Sequence, residues 1–249
     1  MHAFFSWSTD HDFSLFSNEH LVVLGTIVVM MILMFLFRNN LREHSLNFIF
    51  RIGIAIIILL SEASFHIWFI YHNEWDVAVG LPLQLSSISL FLAVFLVLTK
   101  NRSLFEITYF AGAGSAILAM LTPDLGVYGY PHFRFFHFFV AHGGIVIATW
   151  SMIIVEGFVP SYRSIWKAFF ALNAYVTLIF ILNITLNANY MFLMEKPLSN
   201  TLFAYLGPWP WYLLSLEGVA IVAFHLLYLP FTFSKWLNKT RRKISSFSS

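Results

Sequence analysis

The sequence has no cysteine and very little charge. Of its 249 residues only 10% are Asp, Glu, Lys or Arg, against 59% hydrophobic. Without cysteine there can be no disulfide framework, thiolate metal site or thiol nucleophile, and the redox compartment cannot be read from Cys usage. So little charge excludes a soluble globular domain of this length, whose composition would run to about 25% charged residues. The net charge of +2 gives no basis for a nucleic-acid surface. The opening stretch MHAFFSWSTDHDF also lacks the basic n-region of a signal peptide, so the first apolar run is expected to be retained as a span. Internal repeats and low-complexity segments are not visible. What the chain has instead is long apolar runs and 29 phenylalanines.

Crossing a bilayer core of about 30 Å takes about 20 apolar residues. Seven runs approach that length: His20 to Phe37, Phe48 to Tyr71, Gly80 to Thr99, Leu104 to Thr122, Phe133 to Val155, Trp166 to Asn187 and Trp211 to Phe231. The expected fold class is therefore all-α, a polytopic seven-transmembrane-helix bundle. It forms one domain over residues 1–234 and is followed by a basic tail, KWLNKTRRKISSFSS. All of the 14 Lys and Arg residues except Arg134 and Lys196 fall on one side of this arrangement. Basic residues are retained in cytoplasmic flanks, so the N-terminus is expected outside and the C-terminus inside. Asp10, Asp12, Glu19, Glu74, Asp76, Asp124 and Glu195 agree, since all fall in outer segments. The expected location is the cell membrane, with membrane lipids as partners and no nucleic acid. The tail is expected to lie flexibly against anionic headgroups at the inner face. The long outer loop, Ala188 to Pro210, ends in Gly-Pro-Trp-Pro-Trp-Tyr, a run suited to an interfacial anchor. Within it Met191 to Met194 fits either a lid dipping into the membrane or an ordinary ordered loop.

Polar groups inside the runs carry the functional signal, because they are costly in hydrocarbon. The stretch from Tyr130 to Gly144, YPHFRFFHFFVAHGG, sets Arg134, His137 and His142 among aromatic rings. At 1.5 Å per residue, Glu62 and His66 lie roughly 14 and 8 Å below the outer end of their span. Ser86 and Glu217 lie about 9 Å into theirs, and His142 about 14 Å. Asn183 and Asn187 close the outer end of the sixth span. This distribution predicts one outward-facing polar cavity. Glu62 and His66 share a face at i, i+4. His137 and His142 are five apart, about 140° around a helix, so only one faces a given atom unless Gly143 and Gly144 bend it. His142 is placed in the cavity, and His137 beside Arg134 near the mouth. Plainer roles stand beside these. Ser86, Ser87 and Ser89 suit close helix packing. Glu106 is expected to pair with Arg51, Arg102 or Lys100. Asn173, Asn183 and Asn187 suit hydrogen bonds between helices, and His225 is expected to be structural.

Several chemistries fit. A retinal Schiff base is excluded, because Trp211 to Phe231 contains no lysine. The H-x-x-x-H spacing of many zinc hydrolases is absent, which leaves a split site of Glu62, His66 and His142 as the metal option. Ser86 and His142 form a hydroxyl and base pair for acyl transfer, with Arg134, Gln84 or an Asn to stabilise the oxyanion. A non-enzymatic transporter or lipid-binding protein could instead use Glu62, His66, Arg134 and His142 to bind a polar solute or relay protons. The candidate set is Ser86 and His142 as catalytic residues and Arg134, Gln84 and Asn187 as substrate-binding ones. Glu62 with His66 is a supporting polar pair, and Glu217 a further cavity residue. Neither a metal nor a cofactor is expected.

The stretches FSNEHL (Phe16 to Leu21), LPLQLSSISLFL (Leu81 to Leu92), LTPDL (Leu121 to Leu125), PHFRFFHFFVAHG (Pro131 to Gly143), NYMFL (Asn189 to Leu193) and GPWPWYLLSLE (Gly207 to Glu217) resemble the YwaF family of bacterial integral membrane proteins. That family is similar to eukaryotic membrane acyltransferases acting on ether phospholipids, and more distantly to androgen-induced-gene type intramembrane hydrolases. The resemblance implies acyl transfer or hydrolysis on a lipid, with Ser86 and His142 at the positions of the nucleophile and its histidine. The family's third span typically reads LPLHLCSI, and this chain carries Gln84 and Ser86 in place of that His and Cys. A hydroxyl ionises far less readily than a thiol, so Ser86 would depend on His142 for its proton.

Overall fold

The computed structural model describes residues 2–9, 11–197 and 205–245, with side chains described from residue 4 to residue 233 within those ranges. The fold is all-helical, 73% helix, with no strands among the described residues. In chain order the principal helices are α1 (Asn18–Leu36), α2 (His44–Tyr71), α3 (Leu85–Thr99), α4 (Arg102–Leu121), α5 (Phe133–Ile154), α6 (Tyr162–Leu186) and α7 (Trp211–Ser245). Within α4 the residues Thr108–Ala113 form a π-helical turn. Six of the seven are long and apolar enough to cross a membrane, α7 over Trp211–Phe233, and this fits a multi-pass membrane protein.

The exception is α3, at 15 residues. The run from Gly80 to Thr99 reads as a full span, but its first five residues form a turn. Pro82 lacks an N–H and disfavours a helical Leu81. Side chains then take the freed backbone groups: the Leu81 N–H donates to the Tyr190 hydroxyl at 2.9 Å, and the Tyr175 hydroxyl donates to Leu83 O at 3.0 Å. What remains is about 22 Å long, short of a bilayer core of about 30 Å.

Several ends are set by residues that cap helices. Asn101 accepts from the N–H groups of Ser103 and Leu104, and Ser161 with Ser164 forms a capping box. Lys100 and Asn187 take left-handed conformations that stop α3 and α6, with φ of 52° and 50°.

The centre of the bundle is α5. Its apolar stretch is 61% buried and that of α4 56%, against 28% for α2, 17% for α1 and 11% each for α6 and α7. The outer helices therefore turn most of their apolar surface outward, as expected where the solvent is lipid. Packed about α5 are α1, α2, α3 and α4. Ile58, Leu90, Ala93, Leu96, Phe139, Ile145 and Ala148 form the heart of the core. Close approach is permitted by Gly143 and Gly144: a Cβ on Gly144 would lie 2.8 Å from Ile58 Cγ1, and one on Gly143 3.0 Å from Ile27 Cδ1. The helix stays regular through both, so the pair serves packing and not a bend.

The two ends of the bundle differ. The start of α3, α5 and α7 meets the finish of α2, α4 and α6 at what we call the wide end, which holds a large cavity. The segment before α1 is stitched across this end by its backbone carbonyls. Phe5 O accepts from Trp68 Nε1 (3.1 Å) and pairs with the His72 ring (2.7 Å), and Trp7 O accepts from the Tyr128 hydroxyl (2.9 Å). His132 accepts the Arg134 N–H at Nδ1, so its Nε2–H donates to Ser6 O at 2.9 Å. Burial, then the neighbouring Arg134, His11 and His72, hold the His132 pKa below the ordinary 6.5. At the opposite, narrow end, Asn47, Arg51, Lys100 and Glu156 form a compact polar cluster.

Candidate functional site

The wide end encloses a cavity of about 790 Å³. Its wall is mostly aliphatic and aromatic, with Phe65, Phe69, Leu172, Val176, Leu213 and Phe224 among the lining residues, and polar groups are set into it from α2, α3, α5 and α7. Glu62, Gln84, Ser86, Arg134, His142 and Glu217 all line it. Two candidates do not. His66 lies outside the lining, with its Nε2 3.6 Å from Glu62 Oε1, and Asn187 lies outside it as the left-handed cap of α6.

Ser86 sits in the first turn of α3. No side chain caps this helix, and the N–H groups of Leu85, Ser86 and Ser87 find no acceptor among the described residues. A helix N-terminus with free N–H groups and a partial positive charge receives anions. The Ser86 hydroxyl makes no hydrogen bond in the described structure. Gln84, by contrast, has its Oε1 engaged: it accepts the Met191 N–H at 2.9 Å, tying α3 to the turn at Tyr190–Phe192.

On α5, His142 Nδ1 is 2.8 Å from Phe138 O. A carbonyl only accepts, so Nδ1 carries the proton and Nε2 keeps its lone pair. The ring packs on Phe138 at 4.2 Å between centroids. No hydrogen bond joins Ser86 to His142 among the described residues. Arg134 donates from Nη1 to His137 Nδ1 at 3.2 Å, which places the neutral His137 proton on Nε2, where it is buried without a partner. The guanidinium lies 4.2 Å from the Phe65 ring centroid, 5.7 Å from that of Trp68 and 5.9 Å from that of Tyr128. Such contacts hold a cation in place through about 0.5–2 kcal/mol each while leaving its in-plane donors available. Glu62 is 6% exposed, and its Oε1 has no hydrogen-bond partner.

Other polar residues are occupied. Glu217 accepts from Asn173 Nδ2 at 2.9 Å, and Asn183 clasps Tyr190 through both N and O at 2.9 Å. Glu106 pairs with Lys167 at 2.6 Å and accepts from Ser164 at 2.7 Å, and so does not pair with Arg51, Arg102 or Lys100 as expected. The choice follows from α4 packing beside α6, which brings Lys167 and Ser164 to it. His225 Nδ1 donates to Ile221 O at 2.8 Å. Glu62, His66 and His142 are not gathered as metal ligands, and no group of three such residues occurs among the described residues.

One wall is left open by the sequence, where Met191 to Met194 suits either a lid or an ordinary loop. Met191, Phe192, Leu193 and Pro197 line the cavity, held in by Gln84, by the Trp209 indole donating to Leu193 O at 3.2 Å and by the Tyr212 hydroxyl donating to Phe192 O. The apolar patch at Met191 to Met194 signalled a segment that enters the bundle, but its anchors lie far away in sequence. Residues 198–204 of this loop lie outside the described residues. Asp124 also lines the cavity, contributed by the loop between α4 and α5.

No curated protein and no solved structure matches the chain. The model of the TMEM164 family does, over residues 15–228. This overturns the likeness to the YwaF family, which nothing supports. In helices so rich in Phe and Leu, short motifs recur from composition alone, whereas a match across the whole bundle weighs every position. The match covers α1 to α6 and the first half of α7, and the chain belongs to the TMEM164 family.

Proposed function

We propose that the protein is an integral membrane enzyme that transfers or hydrolyses a lipid acyl group in the wide-end cavity, with Ser86 as nucleophile and His142 as base. One observation carries this reading: an unpaired hydroxyl, an imidazole with a free Nε2 and an uncapped helix N-terminus all face one cavity with mostly apolar walls. His142 Nε2 takes the Ser86 proton as Oγ attacks the ester carbonyl. The tetrahedral oxyanion lies against the free N–H groups of α3, and the imidazolium returns the proton to the departing alcohol oxygen. A second alcohol or water then attacks the acyl-serine, its proton passing through the same nitrogen, and Ser86 is regenerated. The contact between hydroxyl and imidazole belongs to the substrate-bound state, in which catalytic hydrogen bonds tighten. Arg134, its donors largely unclaimed, binds the phosphate or carboxylate of the substrate. In the same proposal α3 completes seven crossings, the N-terminus faces outward and the C-terminus inward, and the protein resides in the cell membrane.

The test is acyl transfer or release from labelled phospholipids by the purified full chain. Activity in the wild type and none in Ser86→Ala or His142→Gln supports the reading, whereas Ser86→Ala working as well as wild type refutes it. A second reading rests on Glu62, a buried carboxylate in a cavity with an oxygen that accepts no hydrogen bond, which suits proton-coupled passage of a solute. Uptake into liposomes would then disappear in Glu62→Gln, and uptake indifferent to that change removes this alternative.

A further inference from the structure

The narrow end holds a second cavity, of about 210 Å³, formed where the start of α2 meets the finish of α3 and α5. It is lined by Arg42, His44, Asn47, Arg51, Lys100 and Glu156, with Phe48 and Val155 completing the wall. Asn47, 7% exposed, organises it. Its Oδ1 accepts from Arg51 Nε and from Lys100 Nζ, both at 2.9 Å, and its Nδ2 donates to Leu41 O at 3.1 Å and Glu156 Oε1 at 2.7 Å. Lys100 also pairs with Glu156 Oε2 at 2.9 Å.

Capping accounts for part of this positive charge. Arg42 donates Nε and Nη2 to Val155 O and Ile154 O (2.9 and 3.0 Å), and Arg51 donates Nη1 to Val97 O and Leu98 O (2.6 and 3.2 Å). These are the last carbonyls of α5 and α3, whose dipoles each present about half a negative charge. Three cations set against one carboxylate and two such half-charges leave an excess of about one positive charge. Donors are left over as well: Arg42 Nη1, Arg51 Nη2 and one Lys100 N–H have no partner among the described residues. A preorganised group of unclaimed donors with surplus positive charge is a receptor for an oxyanion.

We propose that this cavity binds a phosphate group. The volume is several times the share of about 30 Å³ that a water takes in the liquid, which leaves room for one. The phosphate is supplied either by a phospholipid headgroup or in free form. The lipid source fits the rim, where Phe48 is 55% exposed and its neighbour Ile49 65% exposed, apolar surface that continues from the cations toward the acyl chains. The site does not depend on the chemistry proposed for the wide end.

The test is calorimetric titration of the purified full chain in detergent at fixed ionic strength, once with a short-chain phosphatidylglycerol and once with inorganic phosphate. Binding of the lipid alone identifies a headgroup site, and binding of both identifies a general phosphate site. Binding of neither overturns the proposal. Lys100→Gln removes one charged donor and should weaken binding about tenfold or more. Glu156→Gln keeps an acceptor for Asn47 but removes the competing carboxylate, and should tighten binding about threefold or more. A merely structural cluster would show no such gain. Should Lys100→Gln fail to fold, Glu156→Gln decides alone. Replacing Lys239, Arg241, Arg242 and Lys243 by Gln should leave the affinity unchanged; if binding is lost there and retained in Lys100→Gln, the phosphate sits on the tail and the proposal fails.

Discussion

The two ends of the bundle treat their polar residues in opposite ways. At the narrow end Asn47 uses its oxygen twice and its nitrogen twice, and binds Arg51, Lys100 and Glu156 into one network. At the wide end Glu62 Oε1, though 3.6 Å from His66 Nε2, and His137 Nε2 are buried without hydrogen-bond partners, the Ser86 hydroxyl is unpaired, and three N–H groups of α3 are uncapped. Unpaired buried polar groups cost about 1–3 kcal/mol each, and a fold keeps them only where the surroundings hold them in place. The narrow end thus centres on a fully bonded amide, with its spare donors confined to the charged groups around Asn47, whereas the wide end leaves buried groups themselves open to something that enters it. Even the wide end is not loose throughout. Its unpaired groups sit between tightly stitched borders, the N-terminal segment on one side and the turn at Tyr190–Phe192 on the other.

Mutations at the two ends should separate activity from stability. The largest effect is expected for His142→Gln, which should lower acyl transfer about 10²–10⁴-fold. Its unfolding midpoint should barely move, since the ring's one hydrogen bond is to its own helix. Next is Asn47→Leu, which disconnects three charged groups. It should destabilise the protein by about 3–5 kcal/mol, read as a fall in thermal midpoint in detergent. A neutral outcome there would remove the contrast between the ends. Tyr190→Phe loses a hydroxyl that donates to Val77 O at 2.6 Å and accepts from the Leu81 N–H, for an expected loss of about 1–3 kcal/mol. Glu62→Gln should leave stability unchanged within about 1 kcal/mol or raise it, since the carboxylate has little to lose. A clear loss of stability would show that the 3.6 Å contact with His66 is a strong ion pair.

The smallest effect concerns pH. His132 has a folded-state pKa below 6.5, first because of burial, so the unfolded chain binds its proton more readily. Stability from the neutral ring is then present above about pH 6.5 and lost as pH falls through the folded-state value. His132→Gln should flatten that dependence. A midpoint that rises on acidification would contradict the assignment.

Much of this was legible in the sequence for physical reasons. Long apolar runs satisfy their own backbone as helices, and six of the seven runs fall within a few residues of helices long and apolar enough to cross a membrane. At α3 the apolar run is longer than the helix, because Leu81, Pro82 and Leu83 count as apolar length while Pro82 disfavours a helical Leu81. Glu62, Arg134 and His142 stood out because charge and imidazole are rare in such runs. The capping role of Asn187 leaves no sequence mark beyond the residue type, because it rests on a φ of 50° and not on the amide. Lys167 as the partner of Glu106 depends on which helices pack together. The N-terminal stitching was invisible because the acceptors are backbone carbonyls of Phe5, Ser6 and Trp7, which carry no sequence signature.

The central claim is that Ser86 is a nucleophile activated by His142. A fluorophosphonate, which bonds covalently to an activated serine oxygen, tests it without knowledge of the natural substrate. Peptide mass spectrometry of the treated full chain should find the adduct on Ser86, and little or none in His142→Gln. An unmodified Ser86, or equal modification when His142 is replaced, would contradict the account.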